Sequence, residues 1–443
     1  MKTNERNSET LKITDLRVCN INGLPKHCIL LKIYTNQGFV GLGEVRDASS
    51  ATYALMLKKR LLGENPLNVE KIFNRIKQFG GHSRAGGGVS GIEIALWDIV
   101  GKFYNIPLYQ LLGGKYRDKV RIYCDTDVDG KHTGHDMGMA LKRRMEQGFT
   151  FLKMDLGIEL LYDEEGCLNA PLGMLDDFKK YNAKAISHQS GSIDKSLMYG
   201  KNYEIFTIPH HATGISITEK GLDYLENYVK EVREVIGYEV PLATDHMGHI
   251  DAGSVIKLAK RLEKYNIAWI EDIAPWMQTQ TFKRVTDNTT IPVCTGEDIY
   301  MSENFEPLLK NHAVSVVHPD LLTIGGAMET KKLGDMCEKY GVAMAIHMAE
   351  SPIAFMACVH IAAALKNVLA VEFHSVDYPE WFNLVKPAVK IENGFVSVPT
   401  TGGLGIEDIN EDLVKQYIHK DYQGYFEDSS EWDKEWSNDR EWS

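Results

Sequence analysis

Ionisable residues end eight short apolar runs in this chain, and their spacing is close to constant. The runs lie at 121–125, 150–155, 240–245, 267–271, 291–297, 315–320, 341–347 and 368–372. They end on Asp125, Lys153, Asp245, Glu271, Glu297, Asp320, His347 and Glu372. Six of the seven gaps between these residues measure 23 to 28 residues, about one helix plus one parallel strand. Because parallel strands need crossover connections and eight of them close a sheet, the spacing predicts an α/β fold, a (β/α)8 barrel. The eight side chains are then expected at the carboxyl-end face of that barrel.

The remaining gap, between Lys153 and Asp245, is 92 residues long. It predicts an insertion at about 158–220, which is rich in polar and turn-forming residues. An insertion of this length inside a compact domain is typical of a lid or an interface arm.

The segments on either side of the barrel predict two further units. Residues 1–118 contain a hairpin signal, "CILLKIYTNQGFVGLGEV", followed by helical patterns at 51–61, 69–78 and 88–103. We therefore expect an N-terminal α+β capping domain at 1–118, the barrel at 119–376 and a C-terminal segment at 377–443. The tail is acidic and carries three Trp residues, so it is either disordered or docks, for example on a neighbouring subunit.

Charge and composition exclude several classes of partner. A net charge of −12 leaves no basic surplus for nucleic acid, although a local cation could still hold an anionic substrate. No run approaches the length of a membrane helix, and the polar N-terminus lacks a signal-peptide core. The seven scattered cysteines form no C-x-x-C pair, which is typical of reduced thiols. We expect a cytoplasmic protein without nucleic-acid or membrane partners, and barrels of this kind often form homo-oligomers.

Three carboxylates at consecutive strand ends predict a metal site. Asp245, Glu271 and Glu297 recur at equal spacing, and without a cation they would repel one another. Oxygen ligands favour a hard ion, and we expect Mg²⁺. If Asp245 points into the site, His246 points away from it, which argues against a zinc site of the His-x-x-His type. His249 follows in the loop, where it either reaches substrate or starts the next helix.

An imidazole beside these carboxylates predicts proton chemistry. Asp320 and His347 end neighbouring strands, and a carboxylate next to a histidine orients the ring and raises its basicity. Lys153 could act as a second base if burial lowers its pKa, or instead neutralise a substrate carboxylate or pair with Asp155. Glu372 could be protonated and donate a hydrogen bond to a reacting oxygen. A cation that holds a carboxylate beside a base fits removal of the proton α to that carboxylate.

These residues and the motifs around them resemble the enolase superfamily, in its mandelate racemase/muconate lactonizing enzyme-like branch. The capping region is similar in "GLGE" (41–44), "EIALWDIVGK" (93–102) and "PLYQLLGG" (107–114), and the C-terminal segment in "TGGLGIE" (401–407). In the barrel, "ATDHMGH", "WIEDIAPW" and "TGEDIY" match the three metal-ligand positions. Other strand ends match the family's His–Asp dyad and eighth-strand acid, here His347, Asp320 and Glu372. The resemblance implies Mg²⁺, a small carboxylate substrate and cap loops near 19–30 and 46–52 that close over it, so Arg46, Asp155 and His249 are candidate substrate-binding residues.

One departure from the family bears on the reaction. The second strand often carries Lys-x-Lys with the second Lys as a base, whereas this chain has Lys153-Met154-Asp155. A reaction with one base is then favoured: His347 takes the proton and then protonates the leaving 3-hydroxyl, which gives a 2-keto-3-deoxy acid from an acid sugar. Two alternatives stay open: a racemase, epimerase or cycloisomerase that uses Lys153 as second base, and a protein that binds carboxylates without catalysis.

Overall fold

The computed structural model describes residues 6–22, 26–161, 164–169, 215–245, 247–419 and 424–436. Residues 170–214, which make up most of the predicted insertion, and His246 lie outside this described part. The ends of the insertion are described, and they pair as two short antiparallel strands, β6 (Leu168–Asn169) and β7 (Ser216–Ile217).

The N-terminal unit is an antiparallel sheet covered by helices. Its strands pair in the order β1 (Ile13–Ile21), β2 (Cys28–Thr35) and β3 (Val40–Val45). The helices are α1 (Thr52–Leu55), α2 (Lys58–Leu61), α3 (Val69–Ile76), α4 (Gly87–Tyr104) and α5 (Leu108–Leu111). Helix α4 packs directly on β3. The two backbones are so close that a Cβ atom at Gly41 would lie 2.1 Å from the Ala95 carbonyl oxygen. The predicted hairpin and helices are confirmed.

Eight parallel strands form the barrel. They are β4 (Lys119–Tyr123), β5 (Leu152–Asp155), β8 (Leu242–Asp245), β9 (Ile267–Glu271), β10 (Val293–Thr295), β11 (Val316–Val317), β12 (Ala343–Ile346) and β13 (Val368–Glu372). In the barrel, β5 pairs in parallel with β8, each strand from β8 to β13 pairs in parallel with the next, and β13 pairs in parallel with β4. A bridge between Asp125 and Lys153 links β4 to β5 and closes the ring. The predicted barrel with a capping unit is confirmed.

Helices follow the strands and cover the outside of the barrel. They are α6 (Gly134–Glu146), α7 (Glu219–Ile236), α8 (Ala252–Leu262), α9 (Thr279–Thr286), α10 (Glu306–Lys310), α11 (Leu321–Ile324), α12 (Ala327–Tyr340) and α13 (Pro352–Ala364). Side-chain caps explain where several begin: Thr133 and Asp136 form a capping box before α6, and Asp251 accepts from two backbone amides at the start of α8. No helix in the described ranges is long and apolar enough to cross a bilayer.

Aromatic side chains fill the barrel below its carboxyl-end face. Tyr123, Phe151 and Trp269 are buried there, with the Phe151 and Trp269 rings stacked at 4.9 Å. Small residues such as Ala243 and Ala345 face them from other strands, so large and small side chains interdigitate. The strand-end residues lie directly above this apolar layer.

The C-terminal segment returns to the cap and the bottom of the barrel. It contains α14 (Pro379–Phe382), β14 (Val385–Lys386), β15 (Phe395–Ser397), β16 (Asp408–Ile409) and α15 (Glu411–Val414), with β15 antiparallel to β4. Part of the tail docks on the cap of its own chain. The buried ammonium of Lys58 pairs with Asp433 at 2.8 Å and Asp15 at 2.7 Å, and Trp432 packs against the apolar core of the cap. Docking is therefore observed for residues 424–436.

Helix α13 joins the cap to the barrel through two buried titratable groups. At its start, Ser351 donates to Glu44 of β3, and near its end the Nδ1 of His360 accepts from the backbone amide of Tyr109 at 3.3 Å. Burial lowers the pKa of His360 to about 4 and raises the pKa of Glu44 to about 7. Both groups are therefore uncharged in the fold at pH 5 to 6.

We expect the His360 environment to make the protein less stable in mild acid. The pKa of His360 is lower in the folded protein than its value of about 6.5 in the unfolded chain, so the unfolded chain takes up a proton first as the pH falls. The folded state therefore has its full stability above pH 6.5 and loses stability as the pH falls towards 4. The His360→Asn variant, which cannot take up the proton, should lose about 2 kcal/mol less stability than wild type between pH 7.5 and 5. Urea unfolding at the two pH values measures this difference. Equal losses in both proteins would contradict it.

Candidate active site

Three carboxylates meet at the ends of β8 and β9. Asp245, Glu271 and Asp272 each offer an oxygen, and these oxygens all lie within 4.8 Å of one another. Such a set of oxygen donors fits a divalent cation, which would relieve their repulsion. Asp272 was not predicted, because strand alternation directs neighbouring side chains to opposite faces. Its φ of 48° interrupts the extended backbone and brings it to the same side as Glu271.

Glu297, the third predicted ligand, lies at the same mouth but is hydrogen-bonded to the predicted base. Its carboxylate accepts from His347 Nε2 at 2.8 Å. Burial raises the pKa of Asp272 well above its ordinary value, and the charges of Glu297 and Glu271 raise it further. Glu297 is thus within electrostatic reach of the other carboxylates, and it would have to turn from the imidazole to share a cation with them.

The ammonium of Lys153 lies among these carboxylates. Its Nζ is 2.6 Å from Asp245 Oδ2, 3.2 Å from Glu271 Oε2 and 3.1 Å from Glu372 Oε1, and the side chain is buried. Burial acts to lower the pKa of Lys153, but the three carboxylates outweigh it and hold the pKa well above the ordinary value. Of the roles left open for Lys153, these contacts favour the charge-neutralising one, because the barrel interior surrounds the lysine with opposite charge instead of apolar atoms.

Glu372, at the end of β13, is ionised in this arrangement. Burial acts to raise its pKa, but Lys153 and His374 outweigh burial and hold the pKa well below the ordinary value. These charges do not favour a protonated Glu372, and its role as a proton donor stays a prediction. The physical cause is Lys153, which lies beside Glu372 in the fold although the spacing of the two residues in the sequence did not indicate this contact.

The predicted pair of Asp320 and His347 is present across neighbouring strand ends. His347 Nδ1 donates to Asp320 Oδ2 at 2.7 Å, while the other oxygen of Asp320 accepts from the backbone amides of Leu322 and Thr323. These bonds hold the ring so that its Nε2 faces the carboxylates. Burial acts to lower the pKa of His347, but Glu297 and Asp320 outweigh burial and raise the pKa well above the ordinary value.

Arg46 lies behind this pair. Its guanidinium is fully buried, forms an ion pair with Asp320, and contacts Asp47 at 3.1 Å and Glu350 at 3.3 Å. We predicted Arg46 as a substrate-binding residue from its position in a cap loop. Its contacts instead favour a role in holding Asp320, because the buried guanidinium has no exposed surface that a substrate could contact.

A buried histidine, not predicted from the sequence, supports the site from below. His318 Nδ1 is hydrogen-bonded to Glu271, and its Nε2 accepts from the Tyr123 hydroxyl at 2.6 Å. Trp269 Nε1 donates to the other Glu271 oxygen at 2.9 Å. Both partners follow from strand alternation: Trp269 lies two residues before Glu271, and His318 two before Asp320. The signal was thus available in "AWIE" and "VVHPD".

A second imidazole, also not predicted, lies at the mouth beside His347. His374 follows β13, its Nε2 is 3.3 Å from Glu372 Oε1, and its ring is 5.8 Å from that of His347. The sequence signal was the alternation in "VEFH", which places His374 on the same side as Glu372, with Phe373 buried on the other.

The two other predicted substrate-binding residues differ in how far the structure describes them. Asp155 pairs with Asp245 in the β5–β8 register and shares a group of carboxylates with Asp245 and Asp125 at the mouth. His249 ends a single turn, Met247–His249, and its side chain lies outside the described part of the structure. Their role in substrate binding stays a prediction.

Comparisons with known proteins cover both units of the chain. The family model described as enolase C-terminal domain-like matches residues 136–413, and the model of the mandelate racemase/muconate lactonizing enzyme N-terminal domain matches residues 24–113. A D-xylonate dehydratase from Haloferax volcanii is 32% identical over 414 residues, which cover 92% of this chain and 89% of that protein. A D-galactonate dehydratase from Cronobacter sakazakii is 28% identical, with 91% of this chain and 94% of that protein covered.

Solved structures agree with these matches. A mandelate racemase/muconate lactonizing enzyme-like protein from Rubrobacter xylanophilus superposes with a TM-score of 0.76 at 25% identity, covering 94% of this chain and 99% of that one. A member of the enolase superfamily from Salmonella Typhimurium gives a TM-score of 0.73 at 26% identity, with 92% and 98% covered. The likeness therefore includes both the cap and the barrel.

Proposed function

Since this chain belongs to the enolase superfamily, in its mandelate racemase/muconate lactonizing enzyme-like branch, we propose that it is an acid-sugar dehydratase. It removes the proton at C2 of a sugar acid and releases the 3-hydroxyl as water, leaving a 2-keto-3-deoxy acid. The observation that carries this proposal is the His347–Asp320 pair, whose second ring nitrogen, Nε2, faces the carboxylates of the mouth and is hydrogen-bonded to Glu297. The dehydratases among the relatives support the same reaction.

Membership of this superfamily implies a divalent metal ion, and we propose Mg²⁺ held by Asp245, Glu271 and Glu297. Asp272 lies close enough to Asp245 and Glu271 to assist. When bound, such an ion supplies positive charge next to the substrate carboxylate, where negative charge increases as the α-proton leaves. Hard oxygen donors fit this ion better than a zinc site, which prefers nitrogen and sulfur.

The remaining strand-end residues take roles that follow from their contacts. His347 is the base: Asp320 holds its Nδ1, so Nε2 is the nitrogen that accepts the proton. Arg46 holds Asp320 in place from behind. Lys153 places a positive charge beside Glu372 and the metal ligands. We propose no second-base role for Lys153, because its Nζ is ion-paired with three carboxylates.

A substrate screen tests the proposed function. The purified chain with Mg²⁺ is incubated with mono- and diacid sugars, including D-xylonate and D-galactonate, and products are detected as 2-keto acids. We expect turnover of at least one sugar acid, and loss of turnover when EDTA is added. Running the same panel in D2O separates the alternatives, because a racemase or epimerase would exchange the α-proton without releasing water. Exchange without any 2-keto product would overturn the dehydratase assignment.

A further inference from the structure

We propose that His374 is a second catalytic residue, which gives a proton to the leaving 3-hydroxyl while His347 takes the proton from C2. This inference rests on the proposed dehydration and assigns its second half. His347 has one ring nitrogen facing the site, because its Nδ1 is held by Asp320 at 2.7 Å. A dehydration needs a proton acceptor at C2 and a proton donor at the C3 oxygen, and two separate groups supply them without a rearrangement between the steps.

The position of His374 suits a donor that works next to His347. The two rings meet edge to face with centroids 5.8 Å apart. That separation lets the two imidazoles address neighbouring carbons of one small substrate. His374 Nε2 lies 3.3 Å from Glu372, and the Cys124 thiol is hydrogen-bonded to the His374 backbone carbonyl at 3.8 Å. The ring is thus placed by contacts on both its side chain and its backbone.

Exposure also separates the two histidines. The side chain of His374 is 23% exposed, whereas that of His347 is 6% exposed. A group that loses a proton in each turnover must regain one from solvent, and the His374 ring is partly exposed, although its Nε2 is buried. Lys153 is less suited to the role, since it is 1% exposed and ion-paired with three carboxylates.

The proposed step balances in protons and electrons. The C2–H bond breaks, its proton goes to His347 Nε2, and its electron pair is held by the carboxylate carbon and oxygens. That pair then forms the C2–C3 double bond as the C3–O bond breaks, and the departing oxygen takes a proton from His374 to leave as water. The enol product becomes the 2-keto acid, His347 releases its proton, and His374 takes one from solvent.

The test separates the two halves of the reaction in the His374→Asn variant with Mg²⁺. Deuterium uptake at C2 of the accepted sugar acid, D-xylonate for example, should stay within about threefold of wild type, whereas release of water should fall about 10²- to 10³-fold. Fluoride needs no proton to leave, so elimination from the 3-deoxy-3-fluoro analogue should stay close to the wild-type rate. His135→Asn, at an exposed position in the first turn of α6, is the matched control.

Each other outcome is also decisive. If wild type dehydrates a sugar acid and His374→Asn does so at the same rate, His374 is not the donor although the proposed function stands. If exchange, dehydration and fluoride elimination all fall together, His374 binds substrate or supports the fold, and the inference is again overturned. If wild type itself forms no 2-keto acid from any sugar acid, the proposed function fails first.

Discussion

The His347→Asn variant is expected to lose turnover, with kcat lower by about 10²- to 10⁴-fold, while its fold stays intact. Asparagine offers no basic nitrogen where His347 Nε2 faces the mouth, so removal of the α-proton loses its acceptor. The fold should survive because Asp320 keeps its bonds to two backbone amides and its ion pair with Arg46. Steady-state kinetics on the accepted sugar acid, with deuterium uptake at C2, measures the loss.

The control for this experiment is His312→Asn, at an exposed position outside the site. Circular dichroism and thermal unfolding of both variants should match wild type. His347 would be removed from the mechanism if its variant exchanged the α-proton at the wild-type rate. Loss of exchange and of dehydration together is the expected pattern, which differs from that of His374→Asn, where exchange persists.

The second large effect is expected from Glu271→Gln, which should abolish activity and the response of thermal stability to Mg²⁺. For wild type, Mg²⁺ at about 100 times its dissociation constant should add about 2.7 kcal/mol of stability. The variant loses a charged oxygen from the group formed with Asp245 and Asp272, so the same concentration should add much less. Thermal unfolding with EDTA and with Mg²⁺ measures both values without any substrate.

Glu234→Gln is the matched control, since Glu234 is exposed and pairs only weakly with Lys230 at 3.6 Å. It should show the full Mg²⁺ effect. A Glu271→Gln protein that is stabilised by Mg²⁺ as strongly as wild type would mean that the ion binds elsewhere. In that case the proposed ligand set would have to be revised, whatever the activity of the variant.

Much of the fold followed from residue spacing. The predicted strands 267–271 and 368–372 match β9 and β13, and the other barrel strands differ from prediction only at their ends. Membership of the superfamily and the expected hydro-lyase class are confirmed by the family models and the named dehydratases. The predicted domain boundaries at 118 and 376 and the homo-oligomer stay predictions.

The differences between the expected and the observed contacts at the site share one cause. For Lys153 both a base and an ion-pair partner were considered, and for Glu372 a protonated form, and the two side chains are ion-paired with each other. Arg46 was expected to face substrate, but it is buried against Asp320. A spacing pattern places residues at one face of a barrel, but it does not say which of them are close enough to set each other's charge.

The sequence by itself determined the barrel, its cap and the ring of ionisable strand ends, because strand and helix periods are local properties of the chain. Only the tertiary structure decided which of these strand-end residues contact one another. It places Lys153 among the carboxylates, Arg46 behind the His347–Asp320 pair, and the His374 imidazole beside that of His347. These contacts join residues far apart in sequence, and the strength of charge interactions depends on distances of a few ångströms that spacing along the chain does not encode.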